Sequence, residues 1–237
     1  MENKLNIFLP GLDNQIRFVR RKLELDGKSA LTLGSASEEV VKVFANETNE
    51  KAELIVEDYS SLMNSRLLLG EDKSVNVRLM DYEYTDFEEN TFDVVYTQGG
   101  ISNPRRNKIV KEIKRILKPD GIFCVGEVVS LNENLPQFVL DIYDSTELDP
   151  LQLTKIENYY LERNFEILEK KDLSFTLKDY YSKNLYELKK SVNDMEENEK
   201  SYYKKLIKMI SHEAKAFLNE GADEHIGFYS LILKKKL

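Results

Sequence analysis

Five short apolar runs in the first 130 residues restrict this chain to a narrow set of folds. Ala30–Leu33, Leu54–Val56, Val75–Met80, Phe92–Tyr96 and Ile122–Val125 read as strands, and most lack the polar alternation of a sheet with one wet face. Strands covered on both faces mark a parallel sheet. Helical stretches separate them. The clearest is Pro104 to Lys118, where Ile109, Val110, Ile113, Ile116 and Leu117 form one apolar stripe. Asn103 is placed to cap that helix, Pro104 suits its first position, and Lys118-Pro119-Asp120-Gly121 ends it. Strand and helix in alternation predict an α/β fold with right-handed crossovers.

After about Ser130 the pattern turns mainly helical: Leu135–Leu148, Leu151–Arg163, Leu177–Met195 and Asn198–Asn219, with strands at Phe165–Leu168 and Ile226–Leu233. The polar stretch Asn193 to Lys200 reads as a hinge between the last two helices. The expectation is one domain over residues 1–237: a core over 1–130, then a C-terminal half over 131–237. The helical insertion in that half is placed to form a lid or substrate side.

Composition narrows the function. With 41% hydrophobic residues the chain can bury a substantial core. Its 34 basic and 42 acidic residues give a net charge of −8, and no basic stripe stands out. Duplex binding needs such a stripe to displace counterions, so no nucleic-acid partner is expected. The terminal Lys234-Lys235-Lys236-Leu237 reads as a solvated end. No apolar run approaches the ~18 residues of a membrane span, and the N-terminus lacks a signal-peptide pattern. A cytoplasmic protein without membrane contact is expected. Its one cysteine, Cys124, excludes an intramolecular disulfide framework and lies in an apolar run, which predicts a buried, inert thiol. His212 and His225 lack ligand-spaced neighbours, so no metal site is expected.

In an open parallel sheet, ligands sit beyond the carboxyl ends of the strands, near the switch in strand order. Gly34-Ser35-Ala36-Ser37 follows the first strand, Glu57-Asp58 the second and Asp81-Tyr82 the third. Asp58 stands roughly twenty residues beyond Gly34, where a carboxylate accepts ribose hydroxyls, or else it is a solvated strand end. The loop lacks two of the three glycines of a dinucleotide fingerprint, and Glu38 and Glu39 occupy the first helical turn. They suit the helix dipole and would repel a pyrophosphate there. This argues against NAD, FAD and nucleoside triphosphates, and tolerates a nucleoside cofactor without phosphate, such as S-adenosylmethionine. Ser35 and Glu38 also have capping-box spacing, which explains a helix start with no ligand at all.

Taken together, Ala30 to Val129 resembles the class I S-adenosylmethionine-dependent methyltransferases of small-molecule type, with a degenerate first motif. "LTLGSAS" stands at the acidic-x-Gly-x-Gly loop, "LIVEDYSSLM" at the second motif, and "VRLMDYEYTDFEENTFDVVY" at the third and fourth. "EIKRILKPDGIFCVGE" is similar to the helix, Lys-Pro-Gly-Gly turn and fifth strand. "NYYLERNFEILEKKDLS" and "IGFYSLILKKK" are similar to the last helix and the sixth and seventh strands. The resemblance implies a Rossmann-like, mostly parallel seven-stranded sheet with an antiparallel last strand. It implies cofactor contacts from Gly34, Ser35, Ala36, Asp58, Tyr59, Asp81, Tyr82, Thr97 and Gln98. Thr32 replaces the first-motif acid, and Ala36 and Glu38 replace later glycines. Ala36 allows close backbone approach if its φ is negative, and Glu38 has room to face solvent.

Methyl transfer asks for alignment and, for some acceptors, a general base. Glu127 after the fifth strand and His225 before the last are the candidates, with an exposed loop carboxylate and a surface histidine as the plainer readings. Gly99-Gly100 either brings backbone close to a ligand or permits a turn. Arg105 and Arg106 stand at a helix N-terminus, as a solvated pair or as a dock for an anionic acceptor. The paired tyrosines of the C-terminal half read as packing residues. The function expected is methyl transfer to a small molecule. The alternative is a silent fold acting as a binding or regulatory subunit, with a homodimer possible through the late helices.

Overall fold

The computed structural model describes residues 7–194, 208 and 210–236. Its strands are β1 Ala30–Leu33, β2 Ala52–Val56, β3 Val75–Leu79, β4 Phe92–Gln98, β5 Leu117–Ser130, β6 Leu151–Gln152, β7 Phe165–Asp172 and β8 Ile226–Lys235. Its helices are α1 Asp13–Lys22, α2 Glu38–Thr48, α3 Tyr59–Leu69, α4 Arg106–Ile116, α5 Gln137–Thr146, α6 Ile156–Leu161 and α7 Leu177–Asp194. Residues 210–219 are also helical.

The sheet runs in the order β3-β2-β1-β4-β5-β8-β7, with two-residue β6 pairing on β5. β1 to β5 are parallel, and β8 is antiparallel to both β5 and β7. The chain moves outward from β1 to β3, then returns to the other side of β1 as β4. The switch in order therefore falls between β1 and β4, the place where an open α/β sheet has a crevice. β1 is buried along its whole length, while the edge strand β3 is only partly covered.

Apolar periodicity explains which helix covers which face. α4 buries Ile109, Val110, Ile113 and Ile116 with Leu31, Leu33, Val95 and Val125 of the sheet. On the opposite face, α1 and α2 bury Ile16, Val19, Val41 and Phe44 against Tyr96 and Cys124. Cys124 is fully buried, and burial pushes its thiol well above the ordinary range. A third cluster joins α5, α7, the 210–219 helix and the start of β8, through Ile142, Tyr181, Phe217 and Phe228. Among the described residues, no helix is long and apolar enough to cross a membrane.

Several sequence boundaries shift. α1 was not anticipated. The helix expected from Pro104 begins at Arg106: the Arg106 N–H turns back to the Asn103 carbonyl at 3.1 Å, and the i to i−4 ladder is reached with the Ile109 N–H on the Arg105 carbonyl at 3.2 Å. The stretch expected as helix from Leu151 opens with β6 instead. β5 runs five residues past Val125, and β8 continues through Lys235, whose ammonium donates to the Leu117 carbonyl at 2.5 Å. Lys234 and Lys235 thus extend the strand, while Lys236 is exposed beyond it. The expected hinge at Asn193 to Lys200 falls mostly outside the described residues, as does 198–207 of the last expected helix.

Asp93 pins the amino ends of three neighbouring strands. Its carboxylate accepts from the Ser29 N–H at 3.0 Å, the Ser29 hydroxyl at 2.7 Å and the Lys118 ammonium at 2.7 Å. Partial burial acts to raise its pKa, but the bonds from Lys118 and Ser29 outweigh it and hold the carboxyl down at about 2. A depressed folded-state pKa stabilises above the unfolded value of 3.8, and that contribution fades as pH falls toward 2. Asp93→Asn is therefore expected to lower the melting temperature at neutral pH. The gap from wild type, followed by circular dichroism, should stay constant down to about pH 4 and narrow below it.

Candidate functional site

The turns after β1 and β4 meet at the switch. Gly34 has φ of 130°, and its N–H donates to the Ile55 carbonyl at 3.2 Å. A Cβ on Gly100 would stand 2.9 Å from the Thr97 hydroxyl, 3.6 Å from the Leu33 carbonyl and 3.9 Å from the Gly34 Cα. The tight contact is with Thr97 of β4, while the distances to the β1 turn are ordinary van der Waals ones. Thr97 is buried beneath it, its hydroxyl without a partner.

A cleft of about 1120 Å³ opens beside these turns. One wall is the Ser35–Ala36 turn, Glu38, Asp58 and Ser61, and the other is the segment Ile7–Leu12 with α1. That segment is a strap. The Gln98 amide donates to the Pro10 and Leu12 carbonyls, both at 2.8 Å, and Gln15 donates to the Thr97 carbonyl at 2.9 Å. Further out, Phe8 exchanges two backbone hydrogen bonds with the Asn184 amide of α7, at 2.9 and 3.1 Å. The strap and α1 were missed in the sequence, although Ile16 and Val19 are spaced on one helical face.

The first-motif loop differs from its reading in three respects. Ala36 has φ of 62°, the left-handed region, not a negative value. No capping box forms: α2 is preceded by Ser37, and the Ser35 hydroxyl donates to Ser61 Oγ at 2.7 Å instead. Glu38 does not face solvent. It is buried and accepts from the Ser65 hydroxyl of α3 at 2.5 Å. Glu39 is the outward acid, paired with Lys42 at 2.9 Å.

The remaining candidates divide between two places. Asp58 lines the cleft and caps α3, accepting from the Ser61 N–H at 2.8 Å and the Ser61 hydroxyl at 2.6 Å. Tyr59 opens α3 and is exposed. Tyr82 is buried, with its hydroxyl on the Ile55 carbonyl at 3.3 Å, and burial pushes its phenol far above the ordinary range. Asp81 lies outside the cleft lining, where Arg105 holds it at 3.3 Å along with Glu57 and, at 2.7 Å, Glu83. Gln98 borders the cleft, but its side chain is committed to the strap and to the Tyr96 hydroxyl.

Glu127 is not a loop carboxylate. It sits inside β5, fully buried, paired with Arg106 Nε at 2.7 Å and accepting from the hydroxyls of Tyr160 and, at 3.2 Å, Ser102. Arg106 is correspondingly buried rather than solvated, and it also donates to the Asp149 carbonyl. Burial works against its cation, and Glu127 more than offsets this, raising the pKa. His225 lies outside the cleft lining, with Nδ1 2.9 Å from the Asn132 amide.

Two outcomes follow. Ala36→Gly removes a left-handed alanine at some cost in chain entropy, so it should stabilise by about 0.5–1 kcal/mol in urea unfolding. Glu127→Ala strands a buried guanidinium and should destabilise by about 3–5 kcal/mol in the same measurement.

Residues 31–125 match the family described as "Methyltransferase domain". A ubiquinone/menaquinone biosynthesis C-methyltransferase of Hydrogenovibrio crunogenus is 28% identical over 137 residues, covering 52% of this chain and 53% of that protein. The chain thus spans about half the length of this curated relative, and it covers 22% and 27% of two sterol methyltransferases that it also matches. Among solved structures, Haemonchus contortus phosphoethanolamine N-methyltransferase 2 with S-adenosyl-L-methionine superposes with a TM-score of 0.79 at 17% identity, over 98% of this chain and 54% of that one. The [4+2]-cyclase SpnF superposes with a TM-score of 0.76 at 18% identity, over 95% and 81%. The strand order, the antiparallel β8 and these superpositions show that the chain has the class I methyltransferase fold, with its methyltransferase-domain match centred on the β1–β5 core.

Proposed function

We propose that this chain binds S-adenosylmethionine and transfers its methyl group to a small-molecule acceptor. The observation that carries this reading is the charge of the cleft at the β1/β4 switch. Among the described residues, Asp13, Glu38, Glu39, Asp58 and Glu147 line it together with two cations, Arg17 and Arg20. Both arginines already face carboxylates, Asp13 at 3.2 Å and Glu47. Such a lining repels phosphates and suits a cofactor with a sulfonium and an ammonium group.

Within this reading, Asp58 and Asp81 accept hydrogen bonds from the nucleoside, and the Gly34 and Gly100 turns let backbone approach it. When bound, the cofactor supplies an already activated methyl group, so the protein's task is alignment. The strap lies against the carboxyl end of β4, through Gln98 and Gly99. Glu127 is committed to Arg106, and His225 is away from the cleft. Neither is placed to serve as base, which favours acceptors that need positioning more than deprotonation. The C-terminal half supplies the acceptor side. A cytoplasmic setting belongs to the same proposal and is supported by the single, buried, free thiol of Cys124.

Isothermal titration with S-adenosylmethionine and S-adenosylhomocysteine tests the reading. Binding of both is expected. No heat from either ligand at concentrations of about a millimolar would sink it and leave a silent binding fold. Asp81→Ala should weaken S-adenosylhomocysteine by about 1–3 kcal/mol, and unchanged affinity would remove Asp81 from the site.

A further inference from the structure

We propose that Arg105 is a clasp on Asp81 that opposes docking of the cofactor's adenosine on that acid. The inference rests on the cofactor reading above and adds a determinant that the sequence gives no reason to expect. One guanidinium bridges three carboxylates from the ends of β2 and β3: Glu57, Asp81 at 3.3 Å and Glu83 at 2.7 Å. The acids are held by backbone. Glu57 accepts from the Tyr82 N–H at 2.9 Å, and Asp81 accepts from the Glu83 N–H at 2.8 Å. In each case Arg105 bonds the same oxygen that the backbone uses. A ribose hydroxyl or an adenine amino group is also a donor, and the guanidinium on the carboxylate weakens the negative charge that such a donor would meet.

The arginine is the movable partner. Its side chain is 42% exposed, whereas that of the adjacent Arg106 is 5% exposed and committed to Glu127. Arg105 immediately precedes α4, where the helix dipole disfavours a cation, and among the described residues three acids hold its guanidinium. The Glu57 hydrogen bond accordingly raises its pKa. Lys108 also holds Glu83, through its other oxygen, at 2.9 Å. Exposed ion pairs of this kind are individually weak, which makes the clasp strong enough to occupy the acids and weak enough to yield.

S-adenosylhomocysteine carries no net charge, so its own attraction to the acidic cleft responds little to salt. Calorimetric titration of wild type, Arg105→Ala and Arg105→Lys decides the matter. Arg105→Ala is expected to bind on the order of fivefold tighter than wild type, with Arg105→Lys between them. Wild type itself should bind more tightly as sodium chloride rises to about 0.5 M, because salt screens the clasp, and Arg105→Ala should lose that dependence. Equal or weaker binding by a folded Arg105→Ala protein overturns the clasp while the cofactor reading stands. If that variant does not fold, a wild-type affinity that stays flat or falls with salt overturns it. Absence of binding by wild type and variant alike overturns both readings.

Discussion

The contact between two glycine turns, Gly34 after β1 and Gly100 after β4, sets the shape of everything above the sheet. Strand order dictates that the chain leaves β1 in one direction and returns beside it from the other, so a crevice at this point follows from topology. How the crevice is walled does not. The cleft's α2–α3 wall is held by Glu38, pinned to Ser65 across the two helices, and by Asp58, which caps α3 at Ser61. The acidic character of the cavity follows from acids whose positions are fixed in this way.

Two neighbouring arginines show how position in a helix divides tasks. Arg106 turns inward and neutralises Glu127, joining the β4–α4 turn through Ser102, β5 through Glu127 and α6 through Tyr160 in one buried network. Arg105, one residue earlier, turns outward over the ends of β2 and β3. Burial makes the first pair costly to break, and exposure makes the second cheap to rearrange. Glu127, read from sequence as a loop carboxylate, is instead half of a buried ion pair, and of the two arginines only Arg105 is exposed.

The fold was legible because it is written in period. Ala30–Leu33 stands where its apolar run placed it, and the Ile109, Val110, Ile113, Ile116 stripe packs as its spacing requires. The site was legible only in part. Spacing located Gly34, Asp58 and Asp81 at strand ends, but could not reveal that Asp58 caps a helix or that a residue 24 positions after Asp81 lies on its carboxylate. Ala36 was misread for a local reason: sequence gives no φ, and its left-handed value is imposed by the turn that Gly34 begins. Glu127 was misplaced because Gly126 interrupts an apolar run that in fact continues as strand, with Gln15 packed where a side chain at position 126 would be. The strap was invisible because its partners, Gln98 and Asn184, are distant in sequence.

That strap has a mechanical meaning. Residues 7–12 are tied at one end to α7 through Asn184 and at the other to β4 through Gln98, with Pro10 seated on Gly99 beside the switch. It therefore works as a tie rod between the C-terminal helices and the cofactor-side turns. Anything that repositions α7 loads the β4 turn, and anything that wedges the β4 turn loads α7.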